Sequence, residues 1–307
     1  MKWLGNSCGC GNVGMGMHVF YTRDYNFKAT SEKCAVLRCQ YCGSLYSERF
    51  PSVESLAEAY GNYYTNQMRH SGLRRIFSRL LNLTRQKYML RCTPRNAHPI
   101  LDYGCGAGEF LSTLKNEGFD SGLYGTDIIK PDIAANMGFD WLPLEWFDVP
   151  DRSYAWITMS HVIEHLVSAD MVLARLANVM TKGGSIWIST PNADSVLIRC
   201  FKGCARDIDF PRHRQIYSKK ALEEMLVKAG FSVQFLSAPR INAILNFNSC
   251  AKNIWACEEM ATLEKLRVIL ASGIRVIWHL ALPQRYRVLE SPELVLIGNY
   301  ECQSSIN

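Results

Sequence analysis

From about residue 98 onward the chain alternates short apolar runs with amphipathic stretches. Ile100-Leu-Asp-Tyr103 runs apolar or half-apolar into a loop with Gly104, Gly106 and Gly108, and an apolar helical pattern follows from Glu109. That order predicts a buried strand, a tight loop and a helix start. Tyr124-Gly-Thr-Asp127 predicts a second strand with Asp127 at its carboxyl end, and Tyr154–Ser160 predicts a later one that runs into His161-Val-Ile-Glu-His-Leu166. Val179–Asn192 predicts a helix end, a Gly-Gly turn, a strand and a Pro-Asn stop. Phe231–Leu236 alternates as a strand does, residues 242–288 read as helical, and Glu293–Tyr300 predicts a last strand. The most apolar helical run, Val268–Leu282, is broken by Arg275 and His279. It is shorter than the roughly 20 residues a membrane span needs, so it predicts a packed or membrane-lying helix.

Composition sets bounds on this picture. The chain has 307 residues, 48% of them hydrophobic and 20% charged, which suits one large globular domain with a small appendage. A net charge of +6 does not by itself call for nucleic acid. The N-terminus, Met-Lys-Trp-Leu-Gly-Asn-Ser, has no apolar core of a signal peptide, and the twelve cysteines read as thiols and metal ligands of a cytoplasmic protein.

The glycine spacing narrows the ligand. A dinucleotide loop needs a third glycine at 109, where Glu109 stands, and a P-loop needs Gly-Lys-Ser/Thr, which is absent. Asp102-x-Gly-x-Gly-x-Gly108 resembles the first motif of class I S-adenosylmethionine (SAM)-dependent methyltransferases. His161-Val-Ile-Glu-His-Leu166, Thr181-Lys-Gly-Gly184 and Thr190-Pro-Asn192 follow in the order typical of one branch of that family. Asp209-Phe-Pro-Arg-His213, Ala221-Leu222 and Ala229-Gly-Phe231 extend the likeness, which covers about residues 98–237. One departure is Ala155, where the branch usually has Asp. The resemblance implies a Rossmann-like α/β fold with a seven-stranded sheet in the order 3-2-1-4-5-7-6 and an antiparallel last strand. Here it would carry a helical insertion at about 242–288.

The front of the chain has its own chemistry. Cys8-Gly-Cys10 and Cys39-Gln-Tyr-Cys42 are two thiol pairs about thirty residues apart, as in a zinc ribbon. The competing reading is unliganded buried thiols, and Cys34 is a fifth candidate ligand. The branch often carries such an N-terminal zinc-binding module. The domain division expected is therefore 1–48 for the module, 49–97 for a helical basic linker and 98–307 for the methyltransferase domain. Within the linker, Ser52–Asn66 reads as a short helix and a Tyr-rich turn with Tyr60, Tyr63 and Tyr64. From Gln67 to Cys92 no acidic residue occurs, and Arg69, Arg74, Arg75, Arg79, Arg85, Lys87 and Arg91 alternate with apolar residues. This predicts basic amphipathic helix, either a solvated face or a surface for phosphates such as a nucleotide-sugar or lipid headgroups.

The resemblance also assigns roles. It places SAM on Asp102, Tyr103, Gly104, Cys105, Gly106 and Gly108, its ribose on Asp127 beside Ile128, and Ser160 at the same edge. The region Trp141–Asp148 should contact adenine, with Glu145 as one candidate. His161, at the end of its strand, is either a general base or a hydrogen-bonded brace. Glu164 and His165 are expected on the same helical face, either as a divalent-metal set with a distant His213 or as bracing groups. His213 is a second catalytic candidate on a loop over the acceptor, where Arg212 and Arg214 could hold an anion. The function expected is methyl transfer to a small molecule or saccharide, best a nucleotide-sugar or surface-polysaccharide sugar, at O or C. The alternatives are RNA methylation and a non-catalytic SAM-binding scaffold. Peripheral membrane association is a further expectation, and no specific nucleic acid partner is expected.

Overall fold

The computed structural model describes residues 1–11, 16–52, 54–55, 58–60, 73–128, 138–143 and 152–301, with the side chains of 73–82 and 285 outside the description. Glu145, Arg69, Tyr63 and Tyr64, and the side chains of Arg74, Arg75 and Arg79, therefore lie outside the described residues.

A seven-stranded sheet organises the chain. Its strands are β6 (Ile100–Tyr103), β7 (Leu123–Thr126), β8 (Asp140–Leu142), β9 (Tyr154–Ser160), β10 (Met180–Pro191), β12 (Phe231–Leu236) and β13 (Glu293–Tyr300). Their order across the sheet is β12-β13-β10-β9-β6-β7-β8, which is the expected 3-2-1-4-5-7-6 read from the other edge. Only β13 runs against its neighbours, pairing antiparallel with β10 and β12. The central strands read as near-continuous apolar runs because helices cover both faces. Ile100, Leu101, Ile157, Met159, Ile186 and Ile188 are fully buried. On one face Phe110, Leu111 and Leu114 of helix Glu109–Asn116 fill the core with Trp156 and Trp187. On the other, helices Ala169–Asn178 and Lys219–Lys228 supply Leu173, Leu176, Leu222 and Leu226.

The N-terminal residues form a smaller body. β2 (Gly16–Thr22), β3 (Cys34–Cys39) and β4 (Leu45–Ser47) pair antiparallel, and β1 (Trp3–Gly5) pairs with β5 (Arg49–Pro51). The fourth strand of the small sheet is β11 (Gln215–Ile216), which comes from after β10 in the chain to pair with β4. Behind it Arg212 is fully buried, donating to Asp24 at 2.7 and 3.1 Å and to Asp209 at 2.9 and 3.0 Å. This corrects the expectation of an anion-holding surface arginine. Arg212 pins the two parts together and is saturated by two carboxylates.

The predicted helical stretch resolves into helices Arg240–Ala256, Thr262–Ala281 and Gln284–Glu290. The basic stretch forms a helix over Leu73–Cys92. The segment after β9 differs from expectation. Only Ile163–His165 makes a single 3-10 turn, and His161 precedes it with a positive φ of 55°. No described helix is long and apolar enough to cross a membrane.

Candidate functional site

The glycine loop hangs on the carboxyl end of β7, where the N–H groups of Gly104 and Cys105 donate to Thr126 O at 2.8 and 3.1 Å. Gly104, Gly106 and Gly108 all have positive φ, which admits side chains at a steric penalty. They do different work. A Cβ on residue 104 would overlap Val162 Cγ2, whereas a Cβ on residue 106 would meet nothing within 4 Å. Gly104 lets the turn after β9 close on the loop, and Gly106 borders open space.

Asp127 faces that space from the end of β7. Its carboxylate accepts from Gly106 N and Ile128 N, both at 2.7 Å, which uses one lone pair on each oxygen and leaves the others for a diol. Ile128 beside it is 81% exposed, unusual for an apolar side chain at a strand end and suited to the flat face of a base. The loop and helix start thus fit a nucleoside with a small charged tail. Asp102, by contrast, is buried and accepts from Thr158 Oγ1 at 2.6 Å across to β9. Burial pushes its carboxyl up to about 7, with the Thr158 bond opposing and Asp127 adding. Tyr103 and Cys105 are also buried, and Ser160 is partly buried at the end of β9.

Beyond the loop, a network of buried charge closes the carboxyl ends of β9 and β10. His161 stands between two carboxylates, with Nδ1 at 3.1 Å from Glu164 Oε1 and Nε2 at 3.3 Å from Glu293 Oε1. Arg85 reaches in from helix Leu73–Cys92, abuts His161 Nε2 and pairs with Glu293 at 3.0 Å. Asn242 donates to the other Glu293 oxygen at 2.9 Å, and Thr190 donates to Glu164 at 2.9 Å. Burial and the Arg85 guanidinium disfavour the imidazolium, yet Glu293 and Glu164 outweigh them and hold His161 above its ordinary value. Burial would raise Glu164, but the hydrogen bond and charge of His161 outweigh it and bring it down to about 2. Both ring nitrogens are thus engaged, and a neighbouring hydroxyl could reach Nε2 only where Arg85 gives it up.

His213 lies nearly buried on the Glu164 side of the network. It sits behind Glu164, with Nδ1 donating to Asp207 O at 2.8 Å and Nε2 at 3.9 Å from Glu164 Oε1. Burial and the neighbouring His165 push it down to about 4, so it is neutral. Glu164, His165 and His213 do converge, with their ligand atoms within 4.8 Å of one another. Arg214 lies over the Phe50 ring.

Two site residues escaped the sequence reading. Glu293 opens an apolar strand and is buried, so the one signal available was an acid at the head of Leu-Val-Leu-Ile. Arg85 is one of many arginines in a basic helix, and nothing in that pattern singles it out.

The thiols form a second site. Cys8, Cys10, Cys39 and Cys42 bring their sulfurs within 4.8 Å of one another, with Cys8–Cys42 at 3.4 Å and Cys10–Cys39 at 3.7 Å. Four sulfurs at the usual Zn–S distance of about 2.3 Å would stand about 3.8 Å apart. The hydrogen bond from Cys8 pulls the Cys42 thiol down to about 4. Gly43, at a φ of 79°, turns the knuckle so that Gly43 N donates to Cys39 O, and Gln215 Nε2 donates to Cys8 Sγ. Cys34 lies at the opposite end of β3, outside the cluster.

A family model described as a methyltransferase domain matches residues 64–235, more than half of the chain. Among solved structures, a Thermotoga maritima SAM-dependent methyltransferase, described as a possible histamine N-methyltransferase, is 18% identical. The match covers 75% of this chain and 96% of that one, with a TM-score of 0.46. A SAM-dependent methyltransferase from Archaeoglobus fulgidus is 20% identical over 74% of this chain and 100% of its own, with a TM-score of 0.45. No curated protein matches the sequence. With a glycine loop, an acid after the second strand of the family's sheet order and that sheet order itself, the chain belongs to the methyltransferase-domain family and is a SAM-dependent methyltransferase.

Proposed function

We propose that the acceptor is a hydroxyl-bearing small molecule or saccharide, best a nucleotide-sugar or a surface-polysaccharide sugar, and that His161 takes its proton. The observation that carries this is His161 held between Glu164 and Glu293, beside the loop that would hold SAM. In this reading the methionine part of SAM lies along Gly104–Gly108, the ribose on Asp127 and the base against Ile128. The methyl then points toward the opening bordered by His161. SAM supplies the electrophilic methyl; the protein positions the nucleophile, excludes water and accepts the proton. For this step Arg85 leaves Nε2 so that the nitrogen can accept, while Glu164 fixes the ring at Nδ1 and Glu293 stabilises the imidazolium as it forms. Asn242 donates to Glu293 and so holds that carboxylate beside the ring. Asp102 orients the loop rather than touching SAM, which its burial supports.

The four-cysteine cluster holds a structural zinc in this reading. Its sulfur spacing and knuckle support that, and its place beside β11 would lock the N-terminal module, taken as residues 1–48, onto the methyltransferase domain at 98–307.

Turnover of labelled SAM with nucleotide-sugars and free saccharides tests the acceptor. Glu293→Gln and His161→Ala should each lower kcat by about 10² to 10⁴-fold while leaving S-adenosylhomocysteine affinity intact. Unchanged kcat in His161→Ala sinks the base.

A further inference from the structure

The helical insertion leaves one face uncovered. In helix Thr262–Ala281, Ser272, Val276 and His279 are buried, and that side packs on helices Arg240–Ala256 and Val196–Phe201. The opposite side carries Leu263, Leu266, Leu270, Ile274, Ile277 and Trp278, each between 42 and 70% exposed. With 3.6 residues per turn these six fall in one arc about 120° wide, and at 1.5 Å per residue the stripe runs about 22 Å. An apolar stripe of that size on a water-facing helix, with Arg267 set into it, marks an interaction surface.

We propose that this face lies on an anionic lipid surface, with the helix in the plane of the headgroups. Its margins suit that medium. Trp278 stands at the edge of the arc, and Trp255, 49% exposed, ends the neighbouring helix; indole rings favour the headgroup level. Arg267 falls inside the arc and Arg275 about 60° beyond its Trp278 edge; neither makes an ion pair among the described residues, and Glu264 is the one acid on this helix. Glu259 and Glu290 are already paired, with Arg23 and Lys33 and with Arg199. The unneutralised surplus is therefore positive.

A second copy of the chain covers the stripe less well. A twofold axis through its middle sets Arg267 of one copy against Ile274 of the other and buries both guanidiniums without a carboxylate, which is unfavourable. On lipid, the Arg267 stem lies along the apolar face while its head reaches phosphate. The placement also serves the site. Helix Arg240–Ala256, on which the stripe helix rests, carries Asn242 to Glu293 and Asn246 to Asp207. That helix thus links the stripe to the charged network around His161. This proposal does not depend on the acceptor's identity.

The test is sedimentation of the full chain with vesicles of phosphatidylcholine, alone and mixed with phosphatidylglycerol. Binding should be strong on the mixed vesicles and weaker on the neutral ones. The Leu270→Glu/Ile274→Glu variant should lower it by at least about tenfold, and Arg267→Ser/Arg275→Ser should lower binding to the mixed vesicles alone. S-adenosylhomocysteine binding checks that each variant is folded, and Ile277→Ser/Trp278→Ser serves where the first does not fold. Absence of binding to either vesicle by folded wild type overturns the proposal. So does a dimer in light scattering that Leu270→Glu splits, since that assigns the stripe to a second copy.

Discussion

Two glycines of one loop, Gly104 and Gly106, should answer to the same substitution in different ways. Gly104→Ala puts a methyl where Val162 Cγ2 already stands, with Val162 Cβ and Cγ1 at 3.2 Å, in a backbone with a φ of 79°. The left-handed conformation costs an alanine about 1–2 kcal/mol, and the overlap costs about 1–3 kcal/mol more. The sum, roughly 2–5 kcal/mol, is a large part of a stability that is typically about 5–15 kcal/mol. Gly106→Ala, with a φ of 53° and nothing within 4 Å, bears only the backbone penalty of about 1–2 kcal/mol. Its methyl instead enters the space proposed for SAM, so affinity for S-adenosylhomocysteine should fall at least tenfold, about 1.4 kcal/mol. Urea unfolding followed by tryptophan fluorescence reads the first quantity and calorimetric titration the second. A Gly104→Ala/Val162→Ala double variant should recover part of the lost stability, because the two residues share the clash. If Gly106→Ala binds the ligand as wild type does, the open space beside it is not the SAM site. If Gly104→Ala is as stable as Gly106→Ala, the packing argument fails.

Other perturbations read other parts of the molecule. Arg212→Met strands Asp24 and Asp209 in the interior and should cost about 3–5 kcal/mol in urea unfolding; a loss below about 1 kcal/mol would mean the pair is not buried as described. Asp102, raised to about 7 from 3.8, keeps its proton when folded in a window where the unfolded chain has lost it. Its contribution to stability is therefore lost as pH rises from about 4 to 7. The stability difference between wild type and Asp102→Asn should swing by about 4 kcal/mol in the variant's favour across that window. A flat difference would show that Asp102 is hydrated. Metal analysis of purified protein should find about one zinc per chain, absent from a Cys39→Ser/Cys42→Ser variant; a well-folded wild type without metal refutes the zinc reading.

Local patterning determined much of this protein. Tyr154–Ser160 and Glu293–Tyr300 form strands with the bounds their hydrophobic pattern predicts, because a strand between two helical layers must be apolar, and the edge strand Phe231–Leu236 does so through its alternation. The glycine loop, Asp127 and the paired cysteines were legible for a related reason. Each needs particular residue types at short spacing, and short spacing survives in one dimension. What only the tertiary structure decided depends on residues far apart in the chain. Glu293 meets His161 across 132 positions and Arg85 meets Glu293 across 208, through a network in which no member marks itself locally. Arg212 shows the same limit. Beside His213 it reads as a surface cation, yet Asp24, 188 residues earlier, makes it a buried bridge. The turn after β9 departs from helix where His161 adopts a positive φ, its ring set between the nearby Glu164 and Glu293, which only the folded sheet brings there. Periodicity identifies which side of a helix is apolar, but whether that side is covered depends on what packs against it. The stripe on helix Thr262–Ala281 was therefore visible as an apolar run in the sequence and as an exposed face only in the fold.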